Sequence, residues 1–205
     1  MRYTTADNQD LGEFSAKDIA VTAYFSYMLT DKLAGGIAAK VLSSSIGHYH
    51  SVGVGVDLGL NYYDTDRELS LSVVGKNLGG QLKAYDDNYE AMPIDVQIGV
   101  SKRLKHTPFR FSATLVDLNH WHYSLMKHFV FGVDAQLSQN IWVGAGYSLR
   151  RANEMKVGDA DTASSHGAGL SLGAGLQLER FKLNLAYGKY HVSSSSVVLN
   201  LSFSL

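Results

Sequence analysis

Between residues 52 and 63 the chain alternates without a break. Val52, Val54, Val56, Leu58, Leu60 and Tyr62 are apolar, while Gly53, Gly55, Asp57, Gly59, Asn61 and Tyr63 between them are mostly small or polar. A period of two places successive side chains on opposite faces of an extended strand. The pattern returns at residues 19–29, 33–45, 69–78, 94–104, 109–118, 129–137, 141–150, 168–178, 181–191 and 197–205, which predicts about eleven strands. Roughly ten to thirteen residues per strand exceeds the five or six usual in soluble sheets. About nine to eleven cross a bilayer at a tilt. Helical spacing is nowhere sustained, and Pro93 and Pro108 stand just before strands, where a missing amide donor is tolerated. The predicted class is all-β: an antiparallel transmembrane β-barrel with about eleven strands visible.

The connections carry a second pattern. Residues 30–32, 64–67, 105–107, 138–140 and 179–180 are short turns, and they alternate with 79–92, 119–128 and 151–166, which are longer and polar, and with the shorter 47–51 and 193–196. Outer-membrane barrels have short periplasmic turns and longer external loops. Residues 1–15 are therefore expected as an external loop, and 16–205 as the strands of a single partial barrel domain. On this count the first and the eleventh strands both descend. A single-chain bacterial barrel has an even strand number, and an open edge in lipid leaves amides unsatisfied at several kcal/mol each. The expectation is an odd number of further strands and an amino-terminally truncated chain. Met1-Arg2-Tyr3-Thr4-Thr5 also lacks the basic start and apolar core of a signal peptide.

Composition narrows the function. Charged residues make up 18% of the 205, against about 25% in soluble domains. A net charge of −1 gives no reason to expect a nucleic-acid partner. With no cysteine, thiolate metal sites and nucleophiles are impossible. Phosphate loops, nucleophile elbows and paired catalytic carboxylates on one rigid element are missing. The reading is a non-enzyme with no cofactor and no metal.

Several residues stand out against that frame. Lys40, Asp57, Asp95, Arg103 and Asp134 fall within strands among small or amide residues such as Gly55, Gln97, Gly99, Gly132 and Gln136, and because Lys or Arg facing lipid at mid-depth costs about 2–4 kcal/mol, they are expected to face the lumen. His48/His50 and His120/His122 are His-x-His pairs in predicted loops, where zinc needs further ligands. Tyr24, Tyr27, Tyr62, Tyr63, Trp142, Tyr147, Tyr187 and Tyr190 are expected as interface aromatics. Gly53, Gly55, Gly167, Gly169, Gly173 and Gly175 are expected on the lumen face. Tyr85, Trp121 and Tyr123 are the expected partner anchors in external loops. Val197, Leu199, Leu201, Phe203 and Leu205 form a terminal strand that resembles the insertion signal read by the barrel-assembly machinery.

Residues 12–21, Asp57-Leu58-Gly59-Leu60-Asn61-Tyr62-Tyr63 and Lys76-Asn77-Leu78-Gly79-Gly80-Gln81-Leu82-Lys83 come in a distinctive order. Pro93-Ile94-Asp95-Val96-Gln97-Ile98-Gly99 and Gly144-Ala145-Gly146-Tyr147 follow. In this order and spacing the chain resembles the PorV/PorQ branch, PorQ-like members above all, of the long-chain-fatty-acid-transporter-like (FadL-like) outer-membrane barrels. These belong to the type IX secretion system of Bacteroidota. The resemblance implies a fourteen-stranded barrel, so eleven strands plus three. It also implies a non-enzymatic role, with PorU-, PorV- and PorZ-like partners, in attaching secreted cargo at the cell surface. A FadL-like transporter of hydrophobic small molecules is the alternative. A soluble sandwich or lipocalin-like carrier would instead enclose its apolar set.

Overall fold

A computed structural model describes residues 2–4, 10–13, 15–85, 89–120, 122, 124–155, 167–189, 191 and 194–204. The expected anchors Trp121 and Tyr123, the girdle residue Tyr190 and the terminal Leu205 lie outside the described residues. The protein is all-β. Two short strands, β1 (Arg2–Thr4) and β2 (Asp10–Glu13), pair antiparallel. Eleven more form one antiparallel sheet in which every strand neighbours the next in sequence, from β3 to β13. They are β3 (Ala16–Met28), β4 (Leu33–Ile46), β5 (Tyr49–Asp64), β6 (Leu69–Lys83), β7 (Asp95–Arg103) and β8 (Phe109–Leu115), followed by β9 (Phe129–Gln136), β10 (Ile141–Ser148), β11 (Leu170–Gln177), β12 (Phe181–Gly188) and β13 (Ser196–Phe203). The expected count of about eleven strands therefore describes the sheet. Residues 1–15 are not simply a loop, because β1 and β2 make a hairpin there.

Strand lengths depart from the expectation in both directions. β3 to β6 run 13 to 16 residues, and β7 to β13 run seven to nine. The connection expected at 47–51 shrinks to a tight turn at Gly47 and His48, where Gly47 takes φ +60. β8 stops at Leu115, two residues before Asp117, whose φ of +58 takes the chain out of the extended region. Leu149 and Arg150, expected in a strand, open a helix instead, α1 (Leu149–Glu154). Ser148 caps it by accepting from the Arg151 amide, and Arg150 and Glu154 pair one turn apart at 2.7 Å. Six residues are too few to leave a helical period in the sequence.

The short turns follow their local chemistry. Thr30 Oγ1 accepts from the Leu33 amide at 3.1 Å, Asp64 Oδ1 from the Asp66 amide at 3.1 Å, and Ser138 Oγ from the Ile141 amide at 3.1 Å. A side-chain oxygen that mimics a turn carbonyl closes a hairpin without further support.

The chain groups into two compact units, Met1–Leu60 with Val74–Asp95 and Asn61–Val73 with Val96–Leu205. In the second, the register makes the faces explicit. Phe111, Val133, Ala145, Leu172, Tyr187 and Val197 are matched across successive strands on one face, as are Ala135, Val143, Ala174, Leu185 and Leu199. The opposite face carries Arg110, Asp134, Gly144, Gly173 and Ala186 in one row, and Gln136, Trp142, Gly175, Asn184 and Asn200 in the next. In the first unit, Ile19, Val21, Phe25, Ile37 and Val41 share one face of β3 and β4, and Asp18, Thr22, Lys40 and Ser44 share the other. Lys17 and Lys102 fall on the apolar parity at strand ends, where a long stem lets the charge leave an apolar surface.

Neither apolar face is covered. Phe25 is 66% exposed, Leu185 49% and Leu199 67%, while the buried apolar residues among those described are Ala38, Ala84, Leu118, Ala152 and Ala168. Burying one Leu, Val, Ile or Phe is worth about 1.5–3 kcal/mol. A sheet that leaves dozens of them bare forgoes the main force that folds a soluble domain.

Candidate functional site

The densest polar arrangement of the first unit sits where β4, β5 and β6 run together. Lys40 Nζ pairs with Asp57 Oδ2 at 2.7 Å and donates to Asn77 Oδ1 at 2.9 Å. The Asn77 amide donates to Asp57 Oδ1 at 2.8 Å, and its Nδ2 donates to the Pro93 carbonyl at 2.9 Å. Lys40 and Asp57 are each about four-fifths buried as side chains. Asn77 holds φ +57, a left-handed conformation asparagine tolerates better than most residues. Both charges are neutralised and hydrogen-bonded, so the centre ties three strands to the returning chain. Asp57→Asn, which keeps the Asn77 bond and loses the ion pair, is expected to lower stability by about 1–2 kcal/mol, read as a shift in the urea midpoint in detergent. A null shift would mean that Lys40 re-pairs elsewhere.

The second unit carries a row of four charges in which two arginines stand between two carboxylates. Glu68 faces Arg103 at 3.8 Å and accepts from the Tyr63 hydroxyl at 3.1 Å, Arg103 is matched across the strands with Arg110, and Arg110 pairs with Asp134 at 3.3 Å. The two arginines, side by side, are offset by one carboxylate each. Asp95 shares its parity on β7 with Gln97, Gly99 and Arg103. Thus Lys40 and Asp57 join one cluster, and Arg103 and Asp134 join another. Glu68, Asn77 and Arg110 were missed in the sequence. Asn77 did leave a signal, since the apolar phase of β6 slips from Leu71 and Val73 to Leu78 and Leu82.

A third cluster forms where the longer connections meet. Asp117 pairs with Arg150 and with His120 Nδ1, the latter at 2.6 Å, and Leu118, His128, Ala152 and Ala168, on the same connections, are buried. His128 Nδ1 hydrogen-bonds the Val116 carbonyl at 2.7 Å. Among the described residues no group of three or more His, Asp or Glu is placed to hold a metal, and His120 of the second His-x-His pair is engaged with Asp117.

Trp142 is not an interface aromatic. It lies on the polar face, matched with Gln136 and Gly175. Its indole rests over Gly173 and Gly175, where an added Cβ would run into it. Tyr24 and Tyr63 also share parity with polar residues, Thr22 and Asn61, whereas Tyr27, Tyr147 and Tyr187 lie on apolar faces. Gly167 and Gly169 precede β11 and hold φ of +78 and +95, so they serve a turn and not a strand face. Tyr85, expected as a partner anchor, is half-buried and donates its hydroxyl to Ser44. Val197, Leu199, Leu201 and Phe203 share one face of β13, matched with Tyr187, Leu185, Leu183 and Phe181.

No protein family matches the sequence, and no curated protein matches it.

Proposed function

We propose that this protein is a non-enzymatic β-barrel component of a bacterial outer membrane that works with a type IX-like secretion apparatus at the cell surface. One observation carries the membrane part: each unit presents a predominantly apolar, exposed face to its surroundings, with Lys17 and Lys102 only at strand ends, while polar residues, glycines and ion pairs occupy the opposite face. Water penalises that arrangement and a lipid bilayer rewards it. Lys40, Asp57, Asp95, Arg103 and Asp134 then face the lumen, and β13 serves as the strand recognised by the barrel-assembly machinery. The resemblance in residues 57–63 and 76–83 supports the secretion role, with PorU-, PorV- and PorZ-like proteins as partners. Neutralised charges favour a structural component over a catalyst.

The test is to tag the protein in its own host, fractionate membranes and identify what is retained with it in mild detergent. Recovery from the outer membrane with surface-attachment proteins of the secretion system is the expected result. Recovery alone, with bound fatty acid, would favour the FadL-like transporter. Recovery in the soluble fraction sinks both readings.

A further inference from the structure

Trp142 stands on β10 with its indole laid along the polar face of the sheet. Its Cζ3 lies 3.4 Å from where a Cβ on Gly144 would be, and its Cη2 lies 3.3 Å from the corresponding point of Gly173. Its Nε1 and Cε2 crowd the place that a Cβ on Gly175 would take. Atoms from both halves of the indole thus reach the backbone of β10 and β11, which fixes the ring flat. One π-face is spent on the glycines, and the other looks away from the sheet. Trp142 is accordingly half-buried. An aromatic ring gains most when both faces are covered, yet among the described residues no second ring stacks on this one.

Polar groups stand at both ends of the plate. Beside the six-membered ring, Asp134 Oδ1 lies 2.5 Å from the Gly144 Cβ position, while Asp134 Oδ2 accepts from Arg110 Nε at 3.3 Å. Beside the five-membered ring, Asn184 Oδ1 lies 2.6 Å from the Gly175 Cβ position that Nε1 also borders. Among the described residues Asp134 Oδ1, the Trp142 N–H and the Asn184 side-chain amide have no hydrogen-bond partner. The plate is therefore flanked by donors and acceptors alike. Arg110 cancels the charge of Asp134, so a cation finds its carboxylate already paired. A phosphate or carboxylate would meet the bare Asp134 oxygen. What fits is a neutral molecule with an apolar face and hydroxyls around its rim, which is the form of a pyranose.

We propose that Trp142, Asp134 and Asn184 form a binding site for a neutral sugar ring on the polar face of β9 to β12. The pyranose stacks on the outer face of the indole. Its hydroxyls donate to Asp134 Oδ1 at one end, and at the other accept from the Trp142 N–H and exchange hydrogen bonds with the Asn184 amide. The site rests on reading that face as open to water, as it is in a lumen.

The chain has two tryptophans, so Trp121→Phe leaves Trp142 as the sole reporter. The full chain carrying it is studied in a detergent without a sugar headgroup. The probes are the methyl α- and β-pyranosides of glucose, galactose and mannose, and indole emission is read against their concentration. At least one is expected to give a saturable change with a dissociation constant of about 1–10 mM, the range for so small a ligand. Asn184→Ala and Asp134→Asn are each expected to weaken binding by about twofold to tenfold, as for one hydrogen bond. Ser112→Ala, on the polar face of β8 beyond this cluster, is expected to leave it unchanged. Trp142→Leu, followed by saturation-transfer NMR because the reporter is gone, is expected to abolish it. Asn184 has no side-chain hydrogen bond to lose, so an unchanged urea midpoint in Asn184→Ala separates a lost ligand contact from a lost fold. The absence of a saturable response to any of the pyranosides overturns the site. So does an equal response in Asn184→Ala, or tighter binding of choline or uridine, which would make the plate a cation or nucleobase site. The need for detergent decides the barrel reading separately: sugar binding by a protein that is soluble without it upholds the site and sinks the barrel.

Discussion

Replacing Leu185 with arginine is expected to lower stability in lipid vesicles by about 2–4 kcal/mol, the cost of a cation at the midplane of a barrel's lipid face. Leu185 is central in β12, matched with Ala174 on β11 and Leu199 on β13, and half exposed. Every immediate cross-strand neighbour on its face is apolar, so the guanidinium has no carboxylate to reach. The control is Asn200→Arg, one residue beyond Leu199 and on the opposite face, matched with Asn184. It is expected to change stability by no more than about 0.5 kcal/mol. Urea unfolding of both variants in vesicles reads the difference. Equal costs would show that the two faces do not meet different solvents, and the membrane assignment would fall.

The second large effect is expected at Gly79. A Cβ there would strike the Val54 carbonyl oxygen and stand 2.7 Å from Gly55 Cα. Both are backbone, so no side chain can swing aside. Gly79→Ala is expected to cost about 2–3 kcal/mol by pushing β6 away from β5, and to loosen the Lys40–Asp57–Asn77 centre with it. Gly80→Ala makes the contrast sharp, because a Cβ on Gly80 meets nothing within 4 Å. It is expected to be neutral to within about 0.5 kcal/mol. Unfolding midpoints of the two variants check this, and a neutral Gly79→Ala would mean that the strands approach less closely than described.

Much of the fold was legible because a β-strand writes its two faces into alternate letters. The runs at 141–148 and 181–188 reveal their faces directly, since the adjacent strand β11 matches apolar with apolar. The short turns were legible for a similar reason. Thr30, Asp64 and Ser138 act on amides two or three residues ahead. Their chemistry is local and needs no tertiary partner.

Trp142 shows where composition misleads. Tryptophan in a membrane strand suggests the interface, but its even position places it among Gln136, Gly173 and Gly175. Parity was the better guide than residue type. The glycines it covers also acquire a reason that no ligand need supply. Helix α1 was hidden because one short turn of helix, capped by Ser148, depends on a capping bond and a single i,i+4 pair, which a period cannot register.

By itself the sequence determined the strand period, the number of strands in the sheet, the separation of apolar from polar positions and the turn chemistry. All of these act over a few residues along the chain. Only the tertiary structure decided which charges meet. Lys40 and Asp57 lie 17 positions apart, Arg110 and Asp134 24 apart, and register alone brings such pairs together. The left-handed Asn77, the backbone contact at Gly79 and the return of Tyr85 to Ser44 belong to the same class. Each depends on how closely one strand lies against another, a distance that alternation along a single strand does not encode.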